Sequence, residues 1–383
     1  MKKKLTSLVL LGVVAMSALT GCGSTETSVE QTAGTNNDAL KIAIVTSISG
    51  VDDGNFNENN YNGILKFIEN NPEATVQAVQ EPSGDTAAAV QAVSDIVADY
   101  DVIVTPGFQF AGVSEVASEN PDKKFILVDS EPAEVDGQTE FDNVYSMMFA
   151  EQESGFFAGI AAALETKTNK VAVVNGIAFP SNVNYQFGFE SGVNYANEVF
   201  GTNVECVELP SYAGTDVTGA NVGGNYVGDF SDEATGKVIG NALIKEGCDI
   251  LFVAAGGSGN GVFTAAKEAG NVKVIGCDVD QYNDGVNGDS NIILTSGLKV
   301  MDANVTRVLE AIKAGTFVGG NEVLGASTDS TGYVKEEGRH ALSEDTLVKM
   351  EEAYNLVKSG EVVPASNFNG MTPEAFTGLP SNK

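Results

Sequence analysis

Carboxylates, amides and aromatic rings recur in this chain at one kind of place, just after a short apolar run. Asp52-Asp53-Gly54-Asn55-Phe56-Asn57 follows Ile42–Val45, and Pro106-Gly107-Phe108 follows Val102–Val104. Asp129 follows Phe125–Val128, and Phe230-Ser231-Asp232 opens a stretch of helical period. Ala255-Gly256-Gly257-Ser258-Gly259-Asn260-Gly261 follows Ile250–Val253, and Gly276-Cys277-Asp278-Val279-Asp280-Gln281 follows Val272–Ile275. The chemistry such residues serve is binding. A flat sugar or nucleobase stacks on phenylalanine, while its hydroxyls and ring nitrogens need buried hydrogen-bond partners. Taken singly, each has an ordinary structural role: Phe56 as a hydrophobic staple, the aspartates as caps or turns, Ser231 or Asp232 as an N-cap. Their repetition at equivalent positions points to one shared site.

Bond-breaking chemistry finds little to work with. His340 is the single histidine, so any Ser-His-Asp or Cys-His device rests on that one ring. The glycines from Gly256 to Gly261 do not spell GxGxxG and lack the Lys-Ser/Thr of a P-loop, which leaves nucleotide phosphates without a cradle. Asp280-Gln281-Tyr282-Asn283-Asp284-Gly285 has the glycine of a calcium loop. It carries tyrosine at the third position and Asn291 where the bidentate glutamate belongs. No metal site and no cofactor are expected, and the chain reads as a binder and not an enzyme. The cysteines Cys22, Cys206, Cys248 and Cys277 form neither CxxC nor metal-ligand spacing.

The elements that must position these residues alternate strand and helix. Continuous apolar strands separated by amphipathic helices mean parallel sheets covered on both faces, an α/β protein. In such sheets ligands bind beyond the carboxyl ends of the strands, where the residues above fall. With 383 residues there is room for two lobes. The expected division is 40–148 plus 299–325 for the first and 149–298 plus 326–383 for the second. Residues 211–228, rich in glycine, read as a long irregular loop. Ahead of the lobes, Lys2-Lys3-Lys4 and an apolar run end in Leu19-Thr20-Gly21-Cys22, the pattern of a lipoprotein signal in residues 1–21. Cys22 is the expected lipidated terminus and 22–39 a flexible tether. The balance of 21 basic to 52 acidic residues, a net charge of −31, excludes nucleic acid as a partner.

The ordered succession of motifs resembles the basic-membrane-protein family of substrate-binding lipoproteins, which includes purine-nucleoside receptors of bacterial ABC transporters. The resemblance runs from about Ile42 to Val300. It is carried by Asp53-Gly-Asn-Phe56-Asn57, Glu119-Asn-Pro-Asp-Lys-Lys-Phe-Ile-Leu-Val-Asp129, Glu153-Ser-Gly-Phe-Phe-Ala-Gly and Gly188-Phe-Glu-Ser-Gly-Val. Gly228-Asp-Phe-Ser-Asp232, Ala255-Gly-Gly-Ser-Gly-Asn-Gly-Val-Phe, Gly276-Cys-Asp-Val-Asp-Gln and Lys299 complete it. The departures are Gly54-Asn55 where Lys-Ser is usual, and Gln109-Phe110 where an acidic residue often follows Gly-Phe.

The resemblance implies a type I periplasmic-binding-protein clamshell, two doubly wound lobes joined by three crossings. It assigns Phe56 and Phe230 as stacking rings, with Tyr226 and Phe189 as substitutes. Asn57 and Asp129 would meet the base, and Asp53 would support that turn. Asp278 and Lys299 would meet ribose hydroxyls beside the Gly256-Gly257 backbone, with Asp280 in reserve. The expected protein is a monomeric, lipid-anchored receptor on the outer face of the cell membrane. It would capture a nucleoside, purine in type, for an ABC permease. The competing readings are a receptor of the same fold for a sugar or autoinducer-like molecule, a sensor, and a nucleoside-cleaving hydrolase.

Overall fold

Every position of β1 (Lys41–Thr46) except Lys41 is buried, the mark of a strand covered on both faces. This computed structural model describes residues 39–378, so the expected signal, Cys22 and the tether up to residue 38 lie outside the described residues. After β1 come α1 (Phe56–Asn70), β2 (Thr75–Gln80), α2 (Thr86–Ile96), β3 (Val102–Pro106), α3 (Val113–Glu119), β4 (Lys124–Val128) and β5 (Val144–Phe149). The chain then leaves this sheet. It continues with α4 (Glu151–Glu165), β6 (Lys170–Asn175), α5 (Pro180–Phe200), β7 (Glu205–Cys206) and the short hairpin of β8 (Gly214–Thr215) and β9 (Asn221–Gly223). Next are α6 (Glu233–Lys245), β10 (Ile250–Ala254), α7 (Gly259–Ala269), β11 (Lys273–Gly276), a second hairpin of β12 (Val286–Asn287) and β13 (Ser290–Asn291), and β14 (Ile293–Lys299). Finally α8 (Met301–Lys313) and β15 (Gly320–Leu324) return to the first sheet, and β16 (Thr331–Tyr333) and α9 (Glu344–Lys358) to the second.

Two six-stranded sheets result, ordered β15-β5-β4-β3-β1-β2 and β16-β14-β11-β10-β6-β7. All pairings are parallel except β14 with β16. The strand order reverses beside β1 in one sheet and beside β6 in the other, so each sheet has helices on both faces and a crevice at its switch point. This is the periplasmic-binding-protein architecture. Asp85 and Asp232 cap α2 and α6, accepting from the amides of Ala88 (2.9 Å) and Thr235 (3.0 Å), which satisfies donors that a helix start leaves free.

The chain crosses between sheets at Ala150, at Val300 and through Gly325–Ser330, and the three crossings are bonded to one another. Ser154 Oγ donates to the Leu298 carbonyl (2.6 Å), the Val300 amide to the Ser330 carbonyl (2.9 Å), and the Ala326 amide to the Glu153 carboxylate (2.6 Å). Residues 211–228, read from sequence as irregular, are instead built onto the free edge of the second sheet. Asn225 donates to the Val173 and Val207 carbonyls, and Tyr226 bridges to Asn175. Cys206, Cys248 and Cys277 are free thiols, the last two buried.

The segment Gly-Phe-Phe-Ala-Gly of α4 serves packing. A Cβ on Gly159 would sit 2.1 Å from the Phe189 carbonyl oxygen on α5, so only glycine lets these two backbones meet. Gly159→Val should therefore lower the melting temperature sharply, a cost of about 1–3 kcal/mol or more from overpacking. Thermal melts check it; an unchanged melting point would show that the two helices can part freely.

Candidate functional site

The carboxyl ends of the two sheets face each other across a cleft of about 800 Å³, its mouth included. At its floor stands Lys299, the last residue of β14 and 3 % exposed. Its ammonium bonds to Asp129 and lies 3.6 Å from both Glu151 and Asp278. Three aromatic rings complete its surroundings: Phe56 at 5.0 Å, Tyr185 at 5.6 Å and Phe149 at 5.8 Å from centroid to Nζ. Cation–π attraction of this kind strengthens as water is excluded.

Lys299 thus gathers groups from both lobes. Asp129 follows β4 in the first lobe, and Asp278 follows β11 in the second. Both aspartates have left-handed backbones, with φ of 58° and 66°. Aspartate tolerates that region better than most residues, and such strain collects at functional sites. Burial opposes the Lys299 charge, but Asp129, Asp278 and Glu151 outweigh it and hold the ammonium above the ordinary lysine range. Burial pushes the Asp129 carboxyl up, against the attraction of Lys299 and with added repulsion from Asp278. Tyr185 donates its hydroxyl to Asp278 (2.7 Å), which fixes that carboxylate.

Phe56 opens α1 and lines the cleft. Asp53 holds it there by accepting from the amides of Asn55 (3.0 Å), Asn57 (3.1 Å) and Glu58 (3.0 Å). Burial still raises the Asp53 carboxyl, because those three bonds only partly offset lost hydration. Asn57 donates its side-chain amide to the Ser49 carbonyl (3.2 Å), which ties the helix start to the loop after β1.

On the opposite wall the Phe230 ring lies over bare backbone. A Cβ on Gly176 would come within 2.2 Å of its Cε1, and one on Gly256 within 3.4 Å of its Cδ1. Phe179 sits 6.0 Å from Phe230, and Phe108 of the first lobe lies 5.3 Å from Phe179. The lobes therefore touch through rings at the cleft as well as through Lys299.

Of the residues singled out from sequence, Asp53, Phe56, Asn57, Asp129, Phe230, Gly256, Asp278 and Lys299 line this one cleft. Gly257 does not line it. A 3₁₀ turn over Gly256–Ser258 directs Gly257 toward the Phe230 carbonyl oxygen, 3.0 Å from where its Cβ would stand. The substitutes are also elsewhere. Phe189 stacks on Phe252 (5.6 Å) in the core, Tyr226 donates to Gln186 (2.7 Å), and Asp280 pairs with Arg339 (2.6 Å). Sequence reasoning missed Gly176, Phe179, Tyr185 and Glu151. The first two had a legible signal, because Asn175-Gly176 ends a strand and Phe179 precedes a proline that starts a helix. Tyr185 and Glu151 had none, since both fit ordinary helix positions.

A two-lobed ligand-binding protein with its site at the interlobe crossings is the class that this geometry defines. The chain belongs to the family described as "ABC transporter substrate-binding protein PnrA-like", which it matches over residues 40–211 and 211–362. It is 29% identical to a CD4+ T-cell-stimulating antigen of Listeria monocytogenes over 94% of this chain and 98% of that protein. It is 30% identical to the ABC transporter nucleoside-binding protein BmpA of Lactococcus lactis, covering 84% and 88%. In fold it is similar to an ABC transporter solute-binding protein of Aeropyrum pernix, with a TM-score of 0.71 over 85% of this chain and 93% of that one, at 24% identity. The family binds substrates for ABC transporters and is not enzymatic. Its members imply a small-molecule ligand and a permease partner.

Gly176→Ala should displace the Phe230 ring and weaken ligand binding by about tenfold, the loss of one stacking contact. Calorimetry on the folded variant checks this; unaltered affinity would remove Phe230 from the site.

Proposed function

We propose that this protein is a lipid-anchored receptor that captures a nucleoside, purine in type, and delivers it to an ABC permease. The observation that carries the reading is the single cleft holding Phe56 and Phe230 on opposite walls above the Lys299, Asp129 and Asp278 cluster. Two rings suit the faces of a flat heterocycle, and a fixed set of donors and acceptors suits ribose hydroxyls. The nucleoside-binding relative in Lactococcus lactis supports the same ligand class. Asn57 and Gly256 supply further polar contacts in this reading, with Asp53 holding the first ring in place. The lobes act as the two jaws, 40–148 with 299–325 and 149–298 with 326–383, except that Phe149 ends β5 of the first and Lys299 ends β14 of the second. Lobe closure on the ligand creates the surface that the permease reads.

Cys22 provides the anchor and places the receptor on the outer face of the membrane as a monomer. Among the described residues no helix is long and apolar enough to cross a membrane. Cys22→Ser should release the protein from the membrane fraction into the soluble extracellular fraction. Retention of the variant in membranes, seen by fractionation and immunoblot, would contradict the anchor.

The ligand is tested by mass spectrometry of the co-purifying small molecule and by titration with purine and pyrimidine nucleosides, free bases and pentoses. Tight binding of a pentose or a free base in preference to every nucleoside would overturn the proposal. Phe56→Ala should weaken nucleoside binding by about tenfold or more, as expected for one stacked ring, with little change in melting temperature. A large loss of stability with unaltered affinity would make Phe56 a packing residue only.

A further inference from the structure

Around the Lys299 ammonium the charges do not balance. Three carboxylates, Asp129, Glu151 and Asp278, face one cation in a pocket closed by Phe56, Phe149 and Tyr185. Glu151 has no exposure to solvent. Its Oε2 accepts from Asn184 Nδ2 (3.2 Å), and the orientation of that amide is set because Asn184 Oδ1 accepts from the Asn367 amide (2.9 Å). Glu151 Oε1 and Asp129 Oδ1 are both buried without a hydrogen-bond partner. A carboxylate buried with an unpartnered oxygen is costly, and two of them near one another relieve the cost by sharing a proton.

We propose that Glu151 is a positioning residue that holds a proton in the closed cleft, donating Oε1–H to Asp129 Oδ1, and that closure over ligand takes this proton from solvent. The bond turns Asp129 so that its other oxygen faces Lys299, and it leaves the cluster one negative charge lighter. This rests on the nucleoside reading only for the choice of ligand probe.

The groups around Glu151 leave few rivals for the proton. Lys299 at the end of β14 stays charged, and Tyr185 on α5 and Cys277 after β11 are pushed up by burial and stay neutral. Asp278 accepts from Tyr185, and Asn184 does not titrate. Asp129 shares the Lys299 ammonium with Glu151 and has an unpartnered oxygen of its own, so it is the remaining partner. Burial raises Glu151 to about 8, with Lys299 opposing and Asp129 adding to the shift. Opening the cleft readmits water and lowers that value, so affinity is full at low pH and falls as pH rises toward the closed-state value.

Two readouts test the proposal. With inosine as probe, the Kd of the wild type should rise about tenfold between about pH 6 and about pH 9, while that of Glu151→Gln changes less than about twofold, whatever its absolute value. Without ligand, the melting temperature of Glu151→Gln minus that of the wild type should grow as pH rises above the free-carboxyl value of 4.5, over a window that ends below the closed-state value. Glutamine donates to Asp129 as the protonated acid does, so it keeps the bond and removes the titration. A pH profile that persists in Glu151→Gln and flattens in Asp129→Asn would overturn the assignment. A melting-temperature difference that is constant with pH would do the same. Failure of inosine to bind at all would count against the nucleoside reading, and the ligand-free melts would still decide the role of Glu151.

Discussion

A single ammonium group, buried where the two lobes join, organises this molecule. Lys299 cannot stay charged in a water-poor pocket unless carboxylates surround it, and those carboxylates come from both lobes and from a crossing. The strained backbones of Asp129 and Asp278 and the hydroxyl of Tyr185 set acceptors around it, and the turn held by Asp53 brings the Phe56 ring to it. Removing either partner from such a buried pair costs more than the pair contributes, so the cluster acts as one unit. The rings above it then exclude water and strengthen every contact below.

Much of this was legible from the residue pattern, and the reasons are specific. Parallel sheets announce themselves through fully apolar runs such as Ile42–Val45 and Ile250–Val253, because both faces are covered. Once the strands are placed, their carboxyl ends follow, and so do Phe56, Asp129, Phe230, Asp278 and Lys299. Gly257 was misplaced because one residue along a 3₁₀ turn rotates a backbone group away from the cleft, which spacing cannot show. Phe189 and Tyr226 failed for a related reason: an aromatic in a helix or at a sheet edge carries no mark of which side it faces.

Glu151 is the harder case. An acidic residue at a helix start is common, since it complements the helix dipole, and nothing in the sequence separates that role from a buried one. Only the three-dimensional meeting of β4, α4, α5, β11 and β14 shows that this carboxyl has no solvent and one oxygen without a partner. Similarly, the segment 211–228 is glycine-rich because it turns tightly onto an existing sheet edge, and its pairing with Asn175 depends on residues far along the chain.

The crossings described above have a mechanical consequence. Lys299 is adjacent to Val300, where one of the three strands of the joint passes, so the charged group at the floor of the cleft sits almost at the fulcrum. Movement near a fulcrum is small, and the same rotation sweeps a far larger arc at the outer rims. In a joint of this geometry a small adjustment at the cleft floor would be amplified into a change of outline at the rims, remote from the cleft itself.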